Sequence, residues 1–220
     1  MKYLILSSSR TGSTYLAEAM YSLLPEPVLF LLEPFQTPTF DNTLFEKISQ
    51  SNNLILKTHL NQLYRLPKEH VDYFLYNNFY IILLLRKNLF KCTFSAVVAH
   101  AIDNFNKNTY TAIQIKIDPT KFLKILNDKI KYWEKFAELK QKHIYKKIIY
   151  FEDLTFDPLK DAALFLKKFD FSKTAKFPLR TPYNLIDVQN KNELKILFYK
   201  RIKNYSHEYI INNQGIFELA

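Results

Sequence analysis

The segment from Ser8 to Thr14, with the sequence SSRTGST, carries residue types that bind oxyanions. It follows a short apolar run, Tyr3 to Leu6, and precedes apolar residues at helical spacing, so the pattern predicts a strand, a loop and a helix. Backbone N–H groups of such a loop cluster at the positive end of the helix dipole, which suits phosphate or sulfate. Arg10 adds a fork of donors, and Ser13 and Thr14 add hydroxyl groups. The segment therefore predicts an anion-binding loop.

This loop differs from the P-loop that binds nucleoside triphosphates. The P-loop pattern G-x-x-x-x-G-K-[ST] requires two glycines and a lysine. Here Gly12 is the one glycine of the segment, and the next residue is a serine rather than a lysine. The difference argues against a small-molecule kinase. Taken alone, the segment also fits a serine-rich turn that caps a helix.

Two side chains that can accept a proton follow predicted strands. Glu33 lies in LLEPF, after the apolar run Val28 to Leu32, and His59 lies in LILKTHL, after the run Leu54 to Leu56. A glutamate or histidine that is held in place after a strand can act as a general base. Each residue also has an ordinary interpretation, because a glutamate before proline is commonly a solvated loop residue and a lone histidine is commonly structural. Lys57 has one too, as a surface lysine at a strand edge.

A second arginine ends a buried strand. The run Phe79 to Leu85 is continuously apolar, which is typical of a central strand of a parallel sheet, and Arg86 follows it directly. Open α/β sheets bind ligands at the carboxyl ends of their strands, so an arginine there suits an anion. A helix is predicted to begin near Asn88, and Ser95 lies in it, nine positions after Arg86.

The elements that must position these residues alternate between strands and helices. Further elements are predicted as a helix after Pro119, a strand over Lys147 to Phe151, a helix opened by Pro158, and helices around Glu193 to Lys203 and Ser206 to Ile211. Alternation of this kind predicts an α/β fold with a central parallel sheet flanked by helices. The length of 220 residues favours one domain over residues 1–220.

Composition excludes several other classes of protein. The net charge of +10 comes from lysines dispersed along the chain, which are typical of a solvated surface, so we expect no nucleic-acid partner. The single cysteine, Cys92, falls in an apolar helical stripe and is expected in the core. The five histidines have no metal-ligand spacing, so no metal is expected. The apolar runs are too short to span a bilayer, and we expect a cytoplasmic protein.

The string SSSRTGSTYL resembles the 5′-phosphosulfate loop of sulfotransferases that use 3′-phosphoadenosine 5′-phosphosulfate (PAPS). The resemblance implies a three-layer, P-loop NTPase-like sulfotransferase fold. It also implies that the donor's 5′-phosphate and sulfate contact the loop residues, namely Ser9, Arg10, Thr11, Gly12, Ser13 and Thr14. In this interpretation Arg10 neutralises charge on the departing phosphate.

Two further segments are similar to the same family in the same order. In LLLRKNLFKCTFS, Arg86 and Ser95 match the pair that holds the donor's 3′-phosphate, and their spacing looks more like the bacterial carbohydrate and glycolipid enzymes. The stretch YFEDLTFDP, Tyr150 to Pro158, is similar to a third family segment, although Phe151 replaces a common tyrosine. The R-K-G nucleotide loop of cytosolic members is missing, and Arg180 is the candidate to replace it.

The family resemblance gives Glu33 and His59 alternative roles. The string K-T-H-L is similar to cytosolic sulfotransferases, in which the histidine is the base and the lysine assists at the bridging oxygen. The Glu-Pro pair at Glu33 looks like the carboxylate base of carbohydrate-type members. One of the two residues is then the base, and the other orients it or binds substrate. The spacing of Arg86 and Ser95 favours Glu33 as the base, with Lys57 turned toward the sulfate.

The predicted function is transfer of a sulfuryl group from PAPS to a hydroxyl of a carbohydrate or glycolipid. Sulfation of a protein tyrosine, a phenol or a small alcohol is a close variant, because acceptor recognition falls in loops without a readable pattern. A nucleotide-binding or nucleic-acid-binding protein without turnover is the alternative from another class.

Overall fold

The computed structural model describes residues 1–24, 27–37, 41–102, 113–164 and 186–203. In chain order the elements are β1 (Lys2–Ser7), α1 (Ser13–Leu23), β2 (Leu29–Leu32), α2 (Asn42–Gln50), β3 (Leu54–His59), α3 (Leu60–Leu63), α4 (Lys68–Tyr76), β4 (Phe79–Leu85), α5 (Leu89–Ala101), β5 (Ile113–Ile115), α6 (Pro119–Gln141), β6 (Lys147–Tyr150), a 3-10 turn (Phe151–Asp153), α7 (Pro158–Ala163), β7 (Ile186–Val188) and α8 (Lys191–Lys203). The helix predicted around Ser206 to Ile211 lies outside the described residues.

The chain divides into two compact units. The first comprises Met1–Leu85 and Tyr132–Phe177, and the second comprises Arg86–Lys131 and Pro178–Ala220. The first unit contains a five-stranded sheet in the order β2-β3-β1-β4-β6, and every pairing in it is parallel. Helices flank this sheet, so the predicted α/β class with a central parallel sheet is confirmed.

The core of the first unit forms where apolar residues alternate along the strands. Side chains at every second position point to one face of a sheet. On one face, strand residues pack against α1 and α7, and the cluster includes Ile5, Ile55, Ile82, Leu84, Ile149, Leu16, Ala17, Met20, Leu23 and Ala162. Residues on both faces of β1 and β4 are buried, which explains why these two strands read as continuous apolar runs.

Two strands differ from the predictions. The continuously apolar run Val28 to Leu32 is typical of a buried strand, yet β2 lies at the edge of the sheet and Leu32 is 39% exposed. An edge strand has one neighbour, so part of its surface meets solvent. β3 is longer than predicted, because Lys57, Thr58 and His59 continue the strand beyond Leu56. Lys57 and His59 therefore sit on a rigid element rather than in a loop.

The carboxyl end of β1 lies at a topological switch point. β1 pairs with β3 on one side and with β4 on the other. After β1 the chain continues to β2, at one edge of the sheet. After β4 it continues to β6, at the other edge. Open α/β sheets bind ligands in the crevice that forms where connections diverge in this way. The predicted anion loop follows β1 at this place.

The second unit contains a parallel pair of short strands that the sequence did not predict. β5 pairs with β7 in the register Gln114 opposite Asp187. Asn190 fixes the end of this pair, because its side chain donates to the Ile117 carbonyl at 2.8 Å and accepts from the Ile117 N–H at 3.1 Å. Across the described ranges, no helix has the length and apolar character needed to cross a membrane.

Candidate functional site

The loop after β1 adopts a conformation that suits an anion. Gly12 is the N-cap of α1 in the left-handed region, with φ 75° and ψ 15°, and Arg10 has a φ of 66°. The Thr11 hydroxyl donates to the Ser8 carbonyl at 2.9 Å and closes the turn. Turns with left-handed residues present successive backbone N–H groups to one side, which is the geometry of an anion nest. The predicted loop therefore forms as a compact turn at the helix start.

Gly12 is required by both its backbone conformation and the space around it. A Cβ atom at this position would lie 3.0 Å from Cδ2 of Phe151 and 3.4 Å from Cδ1 of Leu154. The first turn of α1 contains no acidic residue, and the N-cap makes no side-chain hydrogen bond. The positive end of the α1 dipole is thus not compensated by its own helix residues, which favours an anion there.

Strand register assembles a second cluster beside this loop. β1 and β3 pair with Ser7 opposite His59, and β2 and β3 pair with Leu32 opposite Lys57. Glu33 follows Leu32, and its N–H donates to the Lys57 carbonyl at 2.7 Å. Because strand side chains alternate, Lys57 and His59 point to the same face. The structure therefore brings together three predicted site residues, Glu33, Lys57 and His59.

The Glu33 carboxylate is contacted by four side chains. Oε1 accepts a hydrogen bond from Lys57 Nζ and lies 3.1 Å from His59 Nε2. Oε2 accepts from Gln62 Nε2 at 3.1 Å and from Gln36 Nε2 at 2.7 Å. Five non-glycine residues in the described ranges have a positive φ, and Glu33, with a φ of 50°, is one of them. Such strain costs about 1–3 kcal/mol and is common at functional sites, so it supports a functional role for Glu33.

The charges of this cluster are strongly coupled. Burial alone would raise the pKa of Glu33, but the hydrogen bond from His59, the positive charge that His59 carries when it is protonated, and the charge of Lys57 outweigh it. The pKa of Glu33 is therefore held well below its usual range. Burial lowers the pKa of Lys57, and the Glu33 carboxylate opposes that shift. Lys57 is only 1% exposed, so its interpretation as a surface lysine was wrong.

His59 has a defined partner at each ring nitrogen. Nδ1 lies 3.2 Å from the Ser7 hydroxyl, and Nε2 lies 3.5 Å from Lys57 Nζ as well as near Glu33. Gln62 fixes the backbone beneath the ring, because its Oε1 accepts from the His59 N–H at 3.0 Å and from the Thr58 hydroxyl at 3.0 Å. The imidazole is consequently held in one orientation.

Sequence reasoning missed three residues of this cluster: Ser7, Gln36 and Gln62. Gln62 had a detectable signal, because a glutamine three residues after a residue that starts a helix is the spacing of a capping box. Ser7 had a weaker one, as the last residue of the strand before the loop. Gln36 carried none, since its contact depends on the turn after β2, in which the Gln36 N–H donates to the Glu33 carbonyl at 3.3 Å.

A buried aspartate joins α1, the helix that follows the loop, to the segment after β6. Asp161 in α7 is fully buried and accepts from the Tyr15 hydroxyl at 2.9 Å. It also accepts from the N–H groups of Thr155 and Phe156, each at 2.9 Å. These bonds tie α1 to the segment after β6, whose Phe151 packs against Gly12. Sequence reasoning did not identify Asp161.

The remaining predicted residues lie elsewhere in the chain. Arg86 directly follows β4 and Ser95 lies in α5, and both are partly buried residues of the second unit. Their role at the 3′-phosphate stays a prediction. Arg180 lies outside the described residues. Cys92 is buried in α5, and no group of three or more metal-ligating side chains occurs within the described ranges.

Comparison with known proteins finds no match for this chain among protein-family models, curated proteins or solved structures.

Proposed function

We propose that this protein transfers a sulfuryl group from PAPS to a hydroxyl of a carbohydrate or glycolipid. One observation carries the proposal. Ser7 ends β1, contacts His59 at 3.2 Å, and is followed at once by the anion loop. A cluster that can accept a proton and a loop that suits an anion thus adjoin at the carboxyl edge of the same sheet, as group transfer from an anionic donor requires.

The loop residues fit the phosphosulfate end of the donor. Left-handed backbone at Arg10 and Gly12, an uncompensated helix start and a buried hydroxyl at Ser13 all favour a group with several anionic oxygens. Arg10 would neutralise the charge of the departing phosphate. When bound, the donor supplies the activated sulfuryl group, and the protein contributes anion binding, orientation and acceptance of a proton.

Glu33 is better placed than His59 to accept the proton from the acceptor hydroxyl. Both nitrogens of His59 face residues that are largely or fully buried, whereas Oε2 of Glu33 is contacted by the exposed side chain of Gln36. Movement of one exposed glutamine would therefore open Glu33 Oε2 to an acceptor. Geometry precedes pKa in the choice of a base, so we assign Glu33 as the base and His59 as the residue that orients it.

The low pKa of Glu33 is compatible with this role. The transition state of such a transfer is loosely bonded, so most of the catalysis comes from positioning and charge stabilisation. The acceptor oxygen forms a bond to sulfur, the bond from sulfur to the phosphate oxygen breaks, and the proton passes to Glu33. In this mechanism Lys57 exchanges Glu33 for the sulfate when the donor binds, which would remove one of the interactions that lower the pKa of Glu33.

A carbohydrate or glycolipid acceptor is supported by the Glu-Pro pair at Glu33 and by the spacing of Arg86 and Ser95. A tyrosine, phenol or small alcohol would meet the same chemical requirement. A transfer assay with ³⁵S-labelled PAPS against oligosaccharide, glycolipid, phenol and tyrosine-peptide acceptors separates these classes. Labelling confined to phenols or peptides would overturn the carbohydrate assignment.

The first experiment measures the thermal midpoint with adenosine 3′,5′-bisphosphate, the desulfated donor. A ligand at a hundredfold excess over its Kd adds about 2.7 kcal/mol of stability, which gives a clear rise in the midpoint. We expect the rise in wild type and in Arg65→Ala, which removes an exposed arginine, and its loss in Arg10→Ala and Arg86→Ala. No rise in wild type at millimolar ligand would overturn the proposal. Binding without transfer to any acceptor would instead favour a non-catalytic nucleotide-binding protein.

A further inference from the structure

Ser7 contributes a hydroxyl to the cluster, and the proton transfer to Glu33 does not use it. It is the last residue of β1 and is fully buried. Its backbone is fixed opposite His59 by the parallel pairing of β1 and β3. Its Oγ lies 3.2 Å from His59 Nδ1. The contact is therefore set by sheet register rather than by a mobile side chain.

The proton on the opposite ring nitrogen can be assigned from geometry. His59 Nε2 lies 3.1 Å from Glu33 Oε1. An ionised carboxylate only accepts hydrogen bonds, so a contact at this distance requires the hydrogen to be on Nε2. The question that remains is whether Nδ1 is bare and accepts from Ser7, or is protonated and donates to it.

The charged groups that face the ring favour a bare Nδ1. Lys57 Nζ lies 3.5 Å from Nε2, and its positive charge opposes a second positive charge on the imidazole. Glu33 has the reverse effect, but Lys57 also contacts the same Oε1 and offsets it. A neutral ring with hydrogen on Nε2 needs a donor at Nδ1, and the Ser7 hydroxyl lies within reach.

We propose that Ser7 is a positioning residue whose hydroxyl donates to His59 Nδ1 and holds the ring in the neutral Nε2–H tautomer, which donates to Glu33. The tautomer assignment does not depend on the proposed function, whereas the effect of Ser7 on sulfuryl transfer does. Without the hydroxyl, Nδ1 loses the donor that Ser7 supplies, and the balance shifts toward the other tautomer. Glu33 would then lose one of its hydrogen bonds.

The test is imidazole ¹⁵N NMR of wild type, Ser7→Ala and Ser7→Thr, with His59→Asn used to assign the resonances. In wild type we expect a protonated Nε2 and a hydrogen-bonded, unprotonated Nδ1. In Ser7→Ala we expect the Nδ1 resonance to move from its wild-type position, with a larger population of the Nδ1–H tautomer. Ser7→Thr keeps a hydroxyl and should restore the wild-type pattern. Ser49→Ala, which removes an exposed serine hydroxyl, serves as the matched control.

Activity gives a second readout that loss of structure alone would not produce. In Ser7→Ala we expect kcat to fall by about 10-fold to 100-fold, by analogy with the loss of a hydrogen-bond partner that orients a metal-bound histidine. The KM for PAPS should stay unchanged, and the pH profile of kcat should shift. Thermal midpoints of the variants establish that they are folded.

Two results would overturn the assignment: a protonated Nδ1 in wild type, or an identical His59 spectrum in wild type and Ser7→Ala. Failure of the proposed function looks different. In that case the tautomer follows Ser7 as expected, but adenosine 3′,5′-bisphosphate leaves the thermal midpoint unchanged.

Discussion

The Lys57 ammonium contacts the Glu33 carboxylate, and the two side chains are 1% and 20% exposed respectively. A charge taken out of water is unfavourable unless it is paired, so neither residue is easily replaced alone. The pair joins the ends of β2 and β3, and His59 and Gln62 complete the shell around the carboxylate. This arrangement makes the protonation of Glu33 sensitive to Lys57.

Replacement of Lys57 by methionine should raise the pKa of Glu33. The lysine charge and hydrogen bond both lower that pKa, and methionine has neither. A carboxyl group with a depressed pKa stabilises the fold above its unfolded-state pKa of about 4.3, and loses that contribution as the pH falls through its folded-state pKa. In Lys57→Met the contribution should therefore be smaller, and its loss should be complete at a higher pH. Carboxyl ¹³C NMR titration measures the shift, and Lys68→Met, at an exposed lysine in α4, is the control. An unchanged midpoint would contradict the coupling.

The Glu33→Gln variant should retain donor binding and lose transfer. Glutamine keeps the shape of the side chain but cannot accept a proton, and general base catalysis contributes about 10²-fold to 10⁴-fold in rate. The measurements are ³⁵S transfer from labelled PAPS and the thermal shift with adenosine 3′,5′-bisphosphate. Glu46→Gln, at an exposed position of α2, should match wild type in both. Full transfer activity in Glu33→Gln would exclude Glu33 as the base and direct attention to His59.

The Gln36→Ala variant should lower the KM for the acceptor. The Gln36 amide donates to Glu33 Oε2 at 2.7 Å, where the proposed mechanism requires the acceptor hydroxyl, so the glutamine competes with the acceptor. Loss of one hydrogen bond to a charged group changes binding by about 1.5–3 kcal/mol at most, which sets an upper limit on the effect. Initial rates across acceptor concentration give the KM, with Gln50→Ala as the control at another exposed glutamine. A higher KM would show that Gln36 binds the acceptor instead.

Gly12→Ala should destabilise the protein and weaken donor binding. An alanine at φ 75° is strained, and its Cβ would meet the Phe151 ring at 3.0 Å. We expect a loss of about 1–3 kcal/mol in the free energy of unfolding, together with loss of the thermal shift with adenosine 3′,5′-bisphosphate. Ala19→Gly removes a methyl group from the interior of α1. It shows whether destabilising α1 by itself weakens donor binding. Wild-type binding in Gly12→Ala would show that the loop conformation is not required.

Asp161→Ala should destabilise the fold without touching the proposed site directly. The change leaves the N–H groups of Thr155 and Phe156 and the Tyr15 hydroxyl without their acceptor. A buried donor without a partner costs about 1–3 kcal/mol, and these donors are only partly buried, so we expect a total loss within about the same range in denaturant unfolding. Asp128→Ala, at an exposed aspartate of α6, should change stability by less than about 0.5 kcal/mol. Similar losses in both variants would contradict the role of Asp161.

The sequence by itself determined the α/β class and the position of its principal strands. Phe79 to Leu85 matches β4 because a strand buried on both faces must be apolar throughout, and Asn88 is observed as the N-cap of α5, where its side chain accepts from the Lys91 N–H at 2.8 Å. The strand, turn and helix from β1 to α1 were also predictable, because an apolar run, a turn that contains glycine and apolar residues at helical spacing follow one another. Anion binding by this turn stays a prediction. These signals are local, because each depends on residues that are close together in the sequence.

Tertiary structure alone decided which polar residues meet. Glu33 and Lys57 are 24 positions apart and Ser7 and His59 are 52 apart, and only the register of three parallel strands places them in contact. Spacing along the chain carries no information on strand order, so neither the burial of Lys57 nor the edge position of β2 was readable. Asp161 shows the same limit, because its partner Tyr15 lies 146 residues away in the sequence. Whether a buried carboxylate stabilises the fold depends on hydrogen-bond donors that only the tertiary structure brings to it.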